Sequence, residues 1–351
     1  MSIKPVSLKP ISLKPMSLKP MSITLKIFAL LVAAALVVPY VPGIIYPIFV
    51  MKVMCYGLFA CAFNLLLGFT GLVSFAHAAF LGSAGYVTGA LMIRFGTHPL
   101  GTVTAFTLGV LASALVGLAI GGLAVRRRGI YFAMITLALS QIVYFLAVQF
   151  RWTGGEDGLQ GIPRGNLFGL LDLSSDTAMY YVTLVLFSIG FLFVYRVVHS
   201  PFGQILQAVR ENEPRATSLG YDTDRFRLAA FVLSATVAGY AGAMKALVFQ
   251  LVSLNDVSLH TSTEVVLMTL LGGLGTMFGP LVGATLVVGL QNYLATIGDL
   301  VTVVIGLIFI VCVSFFRRGV VGEYLEWRRR RAQRALPARE PATAPSPSHA
   351  P

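Results

Sequence analysis

The chain has 351 residues, 56% of them hydrophobic and only 11% charged, with a net charge of +12 and a mean hydropathy of +0.81. A soluble domain carries about a quarter charged residues, so this composition excludes an ordinary water-soluble enzyme. The excess Lys and Arg sit in tails and in loops beside apolar runs, as cytoplasmic membrane flanks do, which argues against a nucleic-acid partner.

Residues 1–24 are a basic low-complexity leader that repeats KPVSL, KPISL, KPMSL and KPMSI from Lys4 to Ile23. Proline at every fifth position predicts an extended tail, with contact to anionic membrane lipid as the alternative reading. Residues 25–316 hold the apolar runs: Leu25–Tyr40 continuing to Val50, Gly101–Val125, Ile130–Phe150 and Val301–Phe316 among them. Each approaches the roughly 20 residues that cross a hydrocarbon core. The first run has no cleavage site that would make it a signal peptide. Residues 317–351 are a basic tail, with Arg328–Arg331 expected near the cytoplasmic membrane surface and a disordered Pro/Ala/Ser end.

Basic clusters set the topology. The leader, Arg126–Arg128, a polar island at 198–225 and the tail belong inside. The span 130–150 then leads out to a loop at 151–176, 177–197 leads back to the island, and 226–248 leads out again. From Gln250, outside, the chain reaches Arg317, inside, if Glu264–Gly272 and Phe278–Tyr293 are two short or broken legs around GGLGTMFGP, either full spans or a re-entrant hairpin, followed by a last span. Two legs around Gly68–Gly71 fit the first half in the same way. The expected fold is therefore an all-α polytopic bundle of about ten membrane segments. Each half holds a Gly-broken helix pair, the pattern of transporters with internal repeats.

Catalytic signatures are missing: there is no nucleophile elbow, no HExxH, no His/Cys metal cluster and no phosphate-binding GxxxxGK[ST]. No catalytic or metal-binding residue is assigned, and any ATP that drives this chain must be bound by another. His77 stands alone in an apolar segment, either hydrogen-bonded within the bundle or lining a pathway. Cys55, Cys61 and Cys312 read as buried thiols. The few ionisable residues in the spans, Lys52, Arg94, Lys245, Glu264 and Asp299, are expected near segment ends, reaching the interface. Gly82, Gly85 and Gly89, and Gly239 and Gly242, predict close helix packing. Gly272, Gly273, Gly275 and Gly279 predict an unwound turn at membrane depth.

The island, SPFGQILQAVRENEPRATSLGYDTD, is a helix candidate. Pro201 suits a first turn, Ile205, Leu206, Val209 and Ala216 form a partial apolar face, and Gly220 offers a stop. Arg210, Glu211, Glu213 and Arg215 stay polar, as a solvated loop or as a docking helix for a partner.

Four stretches in order carry a resemblance over roughly Tyr46 to Phe316: NLLLGFTGLVSFAHAAFLGSAGYVTG from Asn64, RGIYFAMITLALSQ from Arg128, TGGEDGLQGIP from Thr153 and GGLGTMFGPLVGA from Gly272. The chain resembles the permease subunits of branched-chain amino acid ABC importers, LivM type, of the bacterial inner membrane. The resemblance implies a second, H-type permease, two ATPase subunits that bind ATP and Mg, and a periplasmic substrate-binding protein. This chain itself is expected to bind no cofactor. ENEPRATSLG is similar to the ATPase-coupling pattern of importer permeases, with Glu213, Ala216 and Gly220 at its marked positions. Arg210, Glu211 and Arg215 lie beside them. Pro214 departs from the Ala-rich middle, which predicts an irregular helix there.

By the same resemblance, Thr153, Gly154, Gly155, Gly158, Gly161 and Pro163 face the binding protein, and their glycines predict a fixed, turn-rich loop. Glu156 and Asp157 are candidates for pairing with it. The translocation path is expected near Asn64, Gly68, Gly71, Ser74 and His77, and near Gly272, Gly273, Gly275 and Gly279. Other readings are the same architecture serving urea, short amides or aromatic acids, and an ion-coupled secondary transporter.

Overall fold

A computed structural model describes residues 19–40, 46–167 apart from 97 and 99, 171–294, and scattered positions between 303 and 323. Expectations for the leader before Lys19, for Cys312, Asp299, the span Val301–Phe316 and most of the tail lie outside the described residues. The chain divides into two units, Met1–Tyr46 and Pro47–Pro351.

In the first unit, α1 spans Lys19–Val37 and ends in a 3-10 turn at Val38–Tyr40. Two expectations are corrected here. The last copy of the KPxSL repeat is helical, because Pro20 falls in the first turn, where its missing N–H costs nothing. The run from Leu25 to Val50 is not one helix, since α1 ends at Val37 and a new helix begins at Pro47.

The second unit contains α2 (Pro47–Thr70), α3 (His77–Phe95), α4 (Gly101–Ala124), α5 (Ile130–Gln149), α6 (Asp176–Val198) and α9 (Thr223–Phe249). All six are long and apolar enough to cross a membrane. The shorter α7 (Pro201–Glu211) and α8 (Glu213–Ser218) form the island, and α10 (Leu259–Gly272) and α11 (Gly279–Leu294) follow α9. The helices around Gly68–Gly71 are therefore full-length, and the glycines mark the end of α2 and the loop after it. Four two-residue strands, β1 (Leu159–Gln160), β2 (Asn166–Leu167), β3 (Leu171–Asp172) and β4 (Leu251–Val252), pair antiparallel as β1–β4 and β2–β3.

The centre of the bundle is α9 packed on α2, α3 and α4. Phe59, Phe63, Phe80 and Phe231 are buried there, and Phe80 meets Phe231 edge-on at 5.5 Å. In lipid, helix association rests on close packing and hydrogen bonds more than on hydrophobic burial. The glycines serve that end: a Cβ at Gly242 would collide with the Leu81 carbonyl, and one at Gly239 with Ser113. Ser113 Oγ donates to the Ala235 carbonyl at 2.8 Å, tying α4 to α9. Outer faces of α4, α5 and α6 keep Leu111, Leu115, Phe145, Val185 and Ile189 exposed, as lipid-facing surfaces do.

Candidate functional site

The sequence builds the island as two helices rather than one. Ser200 caps α7, its Oγ accepting from the Gly203 N–H at 3.4 Å, with Pro201 next to it. Asn212 leaves the helical region at φ −155° and its Oδ1 caps α8, accepting from the Arg215 N–H at 3.1 Å. Pro214 then sits in the first turn of α8, so the irregularity expected at this proline is a clean break two residues earlier, at Asn212. Gly220 ends α8 with φ +87°, while the Tyr221 N–H returns to the Ala216 carbonyl at 3.2 Å.

Polar contacts bind this island to the ends of the long helices. Arg210 Nη1 donates to the Gly68 carbonyl at the end of α2, and its stem lies over Gly71. Glu213 accepts from Arg227 Nη2 of α9 at 2.6 Å, from Arg128 Nη2 before α5 at 2.8 Å and from Thr223 Oγ1 at 3.4 Å. The side chains of Arg227 and Glu213 are only 10% and 18% exposed. Glu213 is thus an internal junction rather than the open charge that its polarity suggests. Ala216 is buried, as are Leu206 and Val209 of the predicted apolar face, whereas Glu211, Arg215 and Gly220 are exposed.

The two glycine loops, more than 200 residues apart in sequence, meet at the same end. Asn64 Oδ1 accepts from the Gly275 N–H at 3.0 Å, and its Nδ2 donates to the Thr276 carbonyl at 2.9 Å. One amide therefore satisfies two backbone groups of the turn between α10 and α11. A Cβ at Gly68 would meet the Gly275 nitrogen at 2.8 Å, so α2 and this loop touch through bare backbone. Gly272 and Gly279 oppose each other across the turn, and Gly273 lies between them.

His77 and Ser74 are brought inside the bundle, both fully buried. His77 Nε2 lies 2.9 Å from Ser234 Oγ, which itself donates to the Ala62 carbonyl at 2.6 Å. The imidazole packs edge-on against Phe63 and Phe80. Of the two readings of His77, the hydrogen bond within the bundle is the one present.

At the opposite end the loop 151–176 is fastened to α9. β1 pairs with β4 directly after α9, and the Ile162 N–H donates to the Gln250 carbonyl at 3.1 Å. Arg164 Nη1 bonds Asp176 at 2.7 Å and its Nη2 the Val248 carbonyl at 3.3 Å. Gly154, Gly155, Gly158 and Gly161 all have positive φ, giving the turn-rich path expected of them. Thr153 is buried, its Oγ1 donating to the Ala147 carbonyl at 2.6 Å, so it holds the loop from below. Glu156, Asp157, Gly161 and Pro163 are exposed. Asp172 accepts from both the N–H and the hydroxyl of Ser174, which hold its carboxyl below the usual carboxylate range.

The ionisable residues of the spans do not all reach the interface as expected. Lys245 bonds Asp256 in a pair whose side chains are 14% and 6% exposed, and Glu264 accepts from Gln291 at 2.6 Å with His260 at 3.6 Å. Arg94 is exposed. Sequence reasoning missed Arg128, Arg227 and Asp256. Arg227 had a signal: it falls on the buried stripe of α9 with Phe231, Ser234, Ala238 and Ala241.

Among the described residues no group of His, Cys, Asp and Glu could hold a metal ion, and Cys55 and Cys61 are buried free thiols. Residues 45–313 match the family model described as a branched-chain amino acid transport system permease component. The high-affinity branched-chain amino acid transport system permease protein LivM of Salmonella typhimurium is 30% identical over 259 residues, 67% of this chain and 60% of that protein. LivM of Escherichia coli is 30% identical over 258 residues, with the same coverage. A probable branched-chain amino acid transport permease protein LivH of Methanocaldococcus jannaschii is 27% identical over 244 residues, 65% of this chain and 72% of that protein. The match spans about three fifths of the length of the LivM proteins. No solved structure matches. The chain belongs to this permease family and is a multi-pass membrane protein.

Proposed function

We infer that this member of the branched-chain amino acid transport permease family forms half of the membrane pathway of an ATP-driven importer for leucine, isoleucine and valine. An H-type permease supplies the other half, and two ATPase subunits carry the ATP and Mg. A periplasmic binding protein delivers the substrate, and the assembly sits in the inner membrane. The similarity of this chain to both LivM and LivH proteins supports the paired arrangement. About ten membrane segments fit this reading, with α10 and α11 as the two short legs around residues 273–278.

The observation that carries the reading is the attachment of the island. Arg210 holds α7 to the end of α2, and Glu213 holds α8 to α9 and to the start of α5. A force applied to the exposed residues Glu211, Arg215 and Gly220 by an ATPase subunit would reach three spans through these contacts. ATP-driven closure below would then favour one arrangement of the spans by differential contact. The path runs beside Asn64, Gly68 and Gly71 and the loop with Gly272, Gly273, Gly275 and Gly279. Ser74 and His77 support it from within the bundle. Above, Gly161 and Pro163 offer the docking surface for the binding protein, while Thr153, Gly154, Gly155 and Gly158 fix its shape.

Uptake of labelled leucine and of labelled urea, in cells with and without this chain, tests the proposal. Loss of leucine uptake with urea uptake intact is expected. Undiminished leucine uptake in the deleted strain would sink the substrate assignment.

A further inference from the structure

Beneath the island lies a hollow of about 510 Å³ between the end of α2, the start of α5, α7 and α9, lined by Thr70, Leu72, Arg128, Arg210, Arg227 and Leu274 among others. Arg128, Arg210 and Arg227 all line it, and among the described lining residues the one carboxylate is Glu213, which already bonds Arg128 and Arg227, while Arg210 Nη1 donates to the Gly68 carbonyl. Asp224 stands 3.9 Å from Arg227 Nη1, but its side chain is 58% exposed and hydrated at the rim. Glu211 lies beyond Arg210, beside a neighbouring depression. Arg227 itself is 8% exposed, and its Nε and Nη1 are buried without a hydrogen-bond acceptor. Arg227 shares its close carboxylate with Arg128, and the cost of a buried charge with unsatisfied donors falls when a further counter-charge is brought near.

We propose that this hollow binds one phosphate group. Arg128 and Arg210 reach it directly, and its charge compensates Arg227 at the back. A phosphate fits better than a single carboxylate because the donors come from three different elements, and a tetrahedral anion offers oxygens in several directions. Basic pockets between membrane helices on the cytoplasmic side suit anionic headgroups, and Leu72 and Leu274 give this one an apolar side. The same chemistry is met by a phospholipid headgroup or by free phosphate. Occupancy would join α7 to the start of α5 and to α9 by a second set of bonds. The site is independent of which solute the permease carries.

Hydrogen exchange of the full chain in phosphatidylcholine nanodiscs tests this. Inorganic phosphate is compared with sodium chloride at matched ionic strength, and phosphatidylglycerol is mixed into the bilayer in a separate arm. Exchange in residues 201–218 is expected to slow about tenfold in at least one arm, the effect of one charge-assisted hydrogen bond set. A response to phosphate identifies a free anion, and a response to phosphatidylglycerol alone identifies a headgroup. Arg128→Gln, at a side chain 65% exposed, should blunt the response. Leu274→Glu, at a residue 38% exposed, should abolish it by placing a carboxylate at the mouth. The proposal is overturned if neither arm slows exchange, if slowing is uniform along the chain as in a general salt effect, or if both variants respond like the wild type.

Discussion

Replacing Glu213 by Ala removes a carboxylate that joins α8, α9 and the start of α5. Arg227 would lose its 2.6 Å partner while staying 92% buried by its own packing, with only Asp224 at 3.9 Å remaining nearby. Breaking a buried ion pair from one side costs about 3–5 kcal/mol. The 18% exposure of Glu213 and the open position of Arg128 place this case at the low end, about 3 kcal/mol. An opening equilibrium for α8 would then rise by about two orders of magnitude. Hydrogen exchange over residues 212–220 reads that directly, and the thermal midpoint reads the part transmitted to the bundle. The double variant Glu213→Leu with Arg227→Met removes both charges and should recover most of the loss, since an apolar pair of similar size is often as stable as the ion pair. Wild-type exchange in Glu213→Ala, or a double variant worse than the single one, would refute the junction.

Gly220→Asp separates surface from fold: nothing lies within 4 Å of the new Cβ, so only the left-handed backbone is strained, by about 1 kcal/mol. The variant should insert normally and lose leucine uptake while ATP hydrolysis by the assembled complex persists; normal uptake would remove Gly220 from the coupling surface. Asn64→Leu leaves the Gly275 N–H and the Thr276 carbonyl unpaired, at about 1–3 kcal/mol each. Faster proteolysis confined to residues 272–279 is the expected sign. Gly242→Ala should destabilise the bundle by about 1–3 kcal/mol, because its Cβ meets the Leu81 carbonyl, whereas Gly122→Ala, with open space, should be neutral in detergent unfolding. Lys245→Met strands Asp256, whose side chain is 6% exposed, and should lower the midpoint far more than the paired change with Asp256→Leu.

The long helices were legible because apolar length is a strong signal: α4, α5, α6 and α9 begin and end within a few residues of their expected limits. Their polar caps were harder to read. Ser258 starts α10 with its Oγ accepting from the Thr261 N–H at 3.5 Å, five residues before the expected leg, because a capped polar turn precedes the apolar run. Asn212 breaks the island for the same local reason, and only Pro214 hinted at it. The chemistry of Glu213 was read in part: its charge was visible, but its partners Arg128 and Arg227 come from other elements, and no local pattern joins them. The meeting of Asn64 with Gly275 and Thr276 likewise depends on packing between helices distant in sequence.

The 27 residues of α9 make a rod about 40 Å long, with no proline to hinge it and its glycines locked against α3 and α4. One end carries Arg227, gripped by the island; the other carries Lys245, Val248 and Gln250, gripped by Asp256 and by the outer loop. Such a beam transmits displacement without any chain of side-chain rearrangements. A shift at the end that holds Arg227 is carried as tilt or translation of the same rod to the end that holds Lys245, so one helix gears the two ends of the bundle together.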